Sequence, residues 1–147
     1  WVSAGRFSQQ VQRLKLMTTI SPSIPAQAAL ADYLQHGGYD RHLRKLRQHL
    51  QQQYQAMVHA IQRHFPADTQ ISAPDGGYFL WLTLNPTINS LNLFQQALAA
   101  GISIAPGPMF SASQQFANCI RLNYGAVKLE EIEPAIQRLA GLIDVVG

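Results

Sequence analysis

Apolar residues recur at every third or fourth position through the first half of the chain, a spacing that predicts helices. Phe7, Val11, Leu14 and Met17 mark one face of a helix running from Arg6 to about Ile20. Pro22 and Pro25 forbid a regular helix through Ser21-Pro22-Ser23-Ile24-Pro25, although Pro25 suits the first turn of the helix that follows. That second helix carries Ala28, Leu30, Ala31 and Leu34 and stops at His36-Gly37-Gly38. Asp40 then stands as an N-cap, and Leu43, Leu46, Leu50, Tyr54, Met57, Ile61 and Phe65 repeat at three and four for over six turns. At about 1.5 Å of rise per residue, roughly 25 residues span about 40 Å, enough to bridge two lobes. Pro66 closes this helix.

The pattern then changes. A short strand is predicted around Ile71, turn residues follow at Pro74-Asp75-Gly76-Gly77, and Tyr78-Phe79-Leu80-Trp81-Leu82-Thr83-Leu84 reads as a strand apolar on both faces, hence central in a sheet. Leu91 to Ala100 predicts a helix capped by Gly101, Ile102-Ser103-Ile104 a strand, and Pro106-Gly107-Pro108 an irregular loop. Cys119 to Tyr124 is a further strand. The last helix shows Leu129, Ile132, Ile136, Leu139 and Ile143, with Glu130, Glu131 and Glu133 in its first turns, where the dipole favours anions, and Pro134 near its start. Helices followed by alternating strands and helices imply a helix-layered sheet with mixed strand directions.

At 147 residues, 47% apolar and 13% charged, the chain has enough apolar surface for a core, which excludes a disordered segment. The net charge of +3 is too modest to point to nucleic acid. One cysteine, Cys119, excludes an intrachain disulfide and any multi-cysteine metal site, which favours a reducing compartment, the cytoplasm. No apolar run approaches the roughly 20 residues that span a bilayer, so no membrane segment is expected. The opening Trp1-Val2-Ser3-Ala4-Gly5-Arg6 is not a signal peptide and reads as the end of a strand begun earlier, so the chain is expected to be a fragment.

Arg121 is the most informative single residue, because it interrupts an apolar strand where an unpaired guanidinium is costly to bury. Strand alternation puts Ile120, Leu122 and Tyr124 on one face and Cys119, Arg121 and Asn123 on the other. A planar fork of donors suits a carboxylate. The bland alternative is an edge-strand arginine that reaches solvent or pairs with a glutamate. The basic run Arg41, Arg44, Lys45, Arg47, with His42 and His49, surrounds an apolar stripe without interleaved aromatics, as a solvated helix face does. The five histidines have no metal-ligand spacing, and Cys119 reads as a small buried hydrophobe.

Taken in order, Trp-Val-Ser-Ala-Gly, Ser21 to Pro25, the long helix, Gly76-Gly77-Tyr78-Phe79-Leu80-Trp81-Leu82, Ile104-Ala105-Pro106-Gly107-x-x-Phe110 and Ile120-Arg121-Leu122-Asn123-Tyr124 resemble the fold-type I pyridoxal-phosphate aminotransferases over the whole length. Arg13 to Met17, Tyr39 to Arg47 and the Gly-Gly-Tyr-Phe-Leu-Trp-Leu strand look most like the MocR branch of the GntR transcription regulators. The resemblance implies an α/β fold, α+β in the isolated fragment: the small C-terminal domain of a PLP-dependent transferase, with helices on a small mixed sheet behind a long interdomain helix. It assigns residues 1–38 to the end of the large PLP-binding lobe, 39–66 to the interdomain helix and 67–147 to the small domain.

The resemblance further implies that Arg121 holds the substrate α-carboxylate, that the turn Gly76-Gly77 with Tyr78 and Phe79 borders the substrate entrance, and that Ser21 to Pro25 lies near a dimer interface and the neighbouring active site. Asn123, on the strand face of Arg121, joins Arg121, Gly77 and Tyr78 as substrate-binding candidates. The family's cofactor lysine would precede Trp1. Lys15, Lys45 and Lys128 match no such position, so no catalytic residue and no covalently bound pyridoxal 5'-phosphate are expected here, although the parent would use that cofactor. Two functions stay open for the parent, with a structural dimerisation module as a third. One is the effector domain of a regulator that senses an amino acid or related small carboxylate, is homodimeric, and meets DNA only through a separate N-terminal domain. The other is an amino-acid aminotransferase.

Overall fold

Three helices precede the first strand in the computed structural model, which describes residues 4–19, 22–72, 74 and 76–146, the last three by backbone alone. The strand end expected at Trp1-Val2 and the loop residue Ser21 lie outside them. α1 spans Ser8–Thr18, after a 3-10 turn at Gly5–Phe7 that delays its expected start. α2 spans Ile24–Gln35 and takes Pro25 into its first turn. α3 spans Gly38–His64, so Asp40 is not its N-cap. Only His36 and Gly37 separate α2 from α3, and the helix has already begun at Gly38; Asp40 sits inside the first turn, where a carboxylate still complements the dipole.

The chain divides into two units, Trp1–Lys45 and Leu46–Gly147. In the first, no described residue is buried. Leu16, Met17 and Ile24 are 70%, 83% and 73% exposed, whereas a helix of a self-sufficient domain turns such a stripe toward a core. No helix among the described residues is long and apolar enough to cross a membrane.

The second unit is built on a four-stranded sheet. β1 (Gln70–Ile71), β2 (Phe79–Thr83), β3 (Ala105–Pro106) and β4 (Cys119–Asn123) lie in the order β1-β2-β4-β3. Every pairing is antiparallel, which corrects the expectation of a mixed sheet. β2 and β3 do run the same way, joined through α4 (Ser90–Ala99), but they are not neighbours. β4 enters between them, antiparallel to both, so the parallel pair never forms.

The third strand also departs from expectation, lying at Ala105–Pro106 instead of Ile102–Ile104. The Ile102 amide donates to the Ala97 carbonyl at 2.8 Å, closing the end of α4, and is therefore lost to any ladder. Pro106, which lacks an amide hydrogen, is tolerated because β3 is an edge strand. The irregular loop expected at Pro106-Gly107-Pro108 is instead the end of β3 and the start of a 3-10 turn, Gly107–Phe110, that the fixed φ of Pro108 favours.

Alternation along β2 and β4 sends Leu80, Leu82, Ile120 and Leu122 to one face. There they pack with Ile61 of α3, Leu93 of α4, and Ile132, Leu139 and Ile143 of α5 (Leu129–Val146), each at most 5% exposed. Burying one such aliphatic side chain stabilises the fold by about 1.5–3 kcal/mol. α5 runs through Pro134, which lies in its second turn.

Glu133 ties α5 to the end of α3, its Oε1 accepting from His64 Nε2 at 2.6 Å and from Arg63 Nη1 at 2.9 Å. The His64 hydrogen bond, the largest influence, holds the Glu133 carboxyl below the usual glutamate range; desolvation opposes it, and the charge and hydrogen bond of Arg63 add to the lowering. A depressed carboxyl contributes stability that is fully present above its unfolded-state pKa and is lost as pH falls through the lower folded-state value. Glu133→Gln is therefore expected to lower the urea midpoint at pH 6 and to reduce the further loss seen on going to pH 3. Equal acid sensitivity of variant and parent would sink this account.

Candidate substrate-carboxylate site

The sheet face opposite the core carries the candidate chemistry. β2 and β4 pair Trp81 with Arg121 and Phe79 with Asn123, while β3 sets Ala105 on the other side of Arg121. Arg121 is thus on an inner strand and half-buried, not on an edge. Its guanidinium carbon lies 4.1 Å from the centre of the Phe79 ring and 4.4 Å from that of Phe110. Trp81 completes the aromatic surface, meeting Phe110 and Phe116 edge-on at 5.7 and 5.5 Å between centroids.

Arg121 and Asn123 open together onto a surface cleft of about 210 Å³ whose other walls are Phe79, Ser103, Ile104 and Ala105. No carboxylate lines this cleft. Among the described residues none pairs with Arg121: Glu133 is held by Arg63 and His64, and Glu131 by Lys128. Asn123 Oδ1 accepts the Gly125 amide at 2.8 Å, which fixes the side chain and leaves its NH2 as a donor. A guanidinium fork beside an amide donor, against apolar walls, can bind one carboxylate through charge-assisted hydrogen bonds.

Gly77 and Tyr78 fall elsewhere. Gly77 lines a separate and larger cleft, about 410 Å³, with Arg47, Tyr54, Gly76 and Tyr124. Size alone does not make it the site, since its cation, Arg47, is an exposed helix side chain. Gly77 has φ +93°, a conformation glycine adopts without strain, and its carbonyl accepts the Tyr124 hydroxyl at 2.9 Å. Burial, and secondarily Tyr54, pushes the Tyr124 phenol up, so it stays a donor at neutral pH. Tyr78 is 47% exposed and reaches the Arg121 surface only through Phe79, at 4.5 Å between centroids. Asp75, in the same turn, lies outside the described residues.

Of the residues around Arg121, the sequence places Phe79 at the substrate entrance by resemblance but does not single out Phe110 or Ser103. An apolar residue after Gly-Pro reads as packing; only its place at the end of the Ala-Pro-Gly-x-x-Phe string marked Phe110. Gly107, in that string, sits so close to the Phe116 carbonyl that an added Cβ would collide with it. The 3-10 turn is thereby seated against the segment that carries Phe116.

The remaining candidates divide clearly. Cys119 is buried with its Sγ 3.6 Å from Thr83 Oγ1. Arg41, His42, Arg44, Lys45, Arg47 and His49 are all exposed. No group of three or more His, Cys, Asp or Glu among the described residues is arranged to hold a metal. The chain's own residues do not fit a covalently held pyridoxal: Lys15, Lys45 and Lys128 are exposed, none lines the Arg121 cleft, and Lys128 lies 3.8 Å from Glu131.

Residues 5–139 match the family model described as aminotransferase class I and II. The chain is 43% identical over 143 residues to the HTH-type transcriptional regulator YdcR of Escherichia coli, covering 97% of this chain and 31% of that protein. It is 28% identical over 144 residues to aromatic-amino-acid aminotransferase 1 of Thermococcus litoralis, covering 97% and 34%. Among solved structures it is similar to the α-aminoadipate aminotransferase LysN of Thermus thermophilus, solved with N-(5'-phosphopyridoxyl)-L-leucine, with a TM-score of 0.82 and 26% identity over 99% of this chain and 37% of that one. The chain spans about a third of the length of these curated relatives.

Proposed function

The chain belongs to the class I and II aminotransferase family, and from that premise we propose that it is part of the effector domain of a GntR/MocR-type transcription regulator. In this reading residues 67–147 form the small domain, 39–66 the interdomain helix and 1–38 the end of a large lobe. The exposed apolar stripes of α1 and α2 fit such an arrangement, since a large lobe would cover them. The parent is a cytoplasmic homodimer that carries pyridoxal 5'-phosphate on a lysine outside these residues and meets DNA through a separate winged-helix domain. Its ligand is an amino acid or related small carboxylate.

The observation that carries the reading is Arg121, which faces a cleft without a carboxylate partner among the described residues. Asn123 is the second ligand group, while Gly77 and Tyr78 support the turn beside it. Similarity to a regulator over nearly the whole chain favours sensing, in which ligand binding biases two arrangements of the parent. A second reading, an amino-acid aminotransferase, is favoured by similarity to the Thermococcus enzyme over an equal share of the chain.

Titrating the full-length parent with pyridoxal phosphate, and then with single L-amino acids, tests both. The visible absorbance band of lysine-bound pyridoxal is expected in the parent and not in the 147-residue chain, and light scattering should read a dimer. An amino acid that shifts the band and changes operator-fragment affinity, with no oxo-acid product, supports the sensor. Stoichiometric oxo-acid without any effect on DNA overturns it in favour of the enzyme.

A further inference from the structure

We propose that Phe110 is a positioning residue for Arg121. With Phe79, its ring holds the guanidinium ready for a carboxylate before any ligand arrives. The proposal rests on the reading of Arg121 as a carboxylate receptor and goes on to name what keeps that receptor in place.

Both rings lie well within the roughly 6 Å over which a cation and an aromatic face attract. They differ in their relation to the cleft. Phe79 is one of its walls, whereas Phe110 touches the guanidinium without lining the cleft, and therefore influences a ligand there only through Arg121. Stacking on a ring occupies a face of the guanidinium and leaves the N–H edges free, and those edges form the bidentate fork.

Phe110 is itself braced. It ends the 3-10 turn that begins at Gly107, where backbone meets the Phe116 carbonyl, and its ring packs edge-on against Trp81, which also meets Phe116. Trp81 is the direct cross-strand neighbour of Arg121. The aromatic cluster is therefore a frame fixed to both β2 and the 3-10 turn, and the arginine lies against it. A free arginine side chain loses much rotamer entropy on binding; one already resting on two rings has less to lose, which raises affinity by preorganisation. Phe110 is 42% exposed, so packing in the core does not account for its place.

The test uses the full-length protein and 3-phenylpropionate as probe, with 3-phenylpropionamide as the uncharged control, both followed by calorimetry. Phe110→Leu keeps an apolar side chain without the aromatic face, and is expected to weaken phenylpropionate roughly three- to thirtyfold while leaving the amide unchanged. Phe110→Tyr restores the face and should recover the parent affinity. Unaltered phenylpropionate affinity in Phe110→Leu, or equal losses for acid and amide, would overturn the proposal.

A measurement on the unmodified protein needs no folded variant. With arginine labelled by nitrogen-15 and Arg121→Lys used for assignment, the Arg121 Nε–H proton should be shifted by the ring currents of its two neighbours, and a resonance at the ordinary arginine position overturns the proposal by itself. If Arg121→Leu leaves phenylpropionate binding intact, the receptor reading fails. If Arg121→Leu abolishes binding and Phe110→Leu does not change it, only the positioning role fails.

Discussion

Replacing Arg121 by leucine is expected to weaken carboxylate binding by the full-length protein by about 100-fold, equivalent to ~3 kcal/mol, while the fold survives. The two halves of this result have separate causes. Binding falls because the cleft's other walls supply the Asn123 amide but no second cation. The fold survives because Arg121 has no internal carboxylate to leave stranded among the described residues. Calorimetry with 3-phenylpropionate and urea unfolding of the same sample read the two halves. An unfolding midpoint lowered as much as that of a core deletion would mean that Arg121 is structural.

The largest loss of stability is expected at Leu80. It is fully buried in β2, in the core that the sheet shares with α3, α4 and α5, and truncation to alanine removes three carbons from that close-packed core. The cost should be about 2–5 kcal/mol, a large share of the ~5–15 kcal/mol that holds a domain together. Chemical denaturation of the full-length protein checks it. A change below ~1 kcal/mol would show that this core is not the cooperative unit described.

Much of this was legible in the sequence where a periodic pattern and a single partner surface coincide. The stripe from Leu43 to Phe65 predicted α3, whose buried residues Met57 and Ile61 belong to it. The alternation from Cys119 to Tyr124 correctly separated Arg121 and Asn123 from Ile120 and Leu122. Departures came where distant residues decide. Ile102 is apolar as a strand residue should be, but its amide closes α4. The antiparallel sheet depends on where β4 inserts, which no local window contains. Gly77 was grouped with Arg121, yet the turn that holds it faces α3 and is bonded to Tyr124. Phe110 lies eleven residues before Arg121, in a 3-10 turn whose period gives no amphipathic signal.

The strand order has a consequence for how the protein is made. β2 and β3 emerge from the ribosome well before β4 and do not pair with each other, so the nascent chain holds two strand edges apart until residues 119–123 arrive to join them. The strand that closes the sheet is also the one that carries Arg121. Closure of the sheet and acquisition of the carboxylate receptor are thus a single event in biosynthesis, preceding the arrival of α5, and a translation product that stops short of β4 has neither.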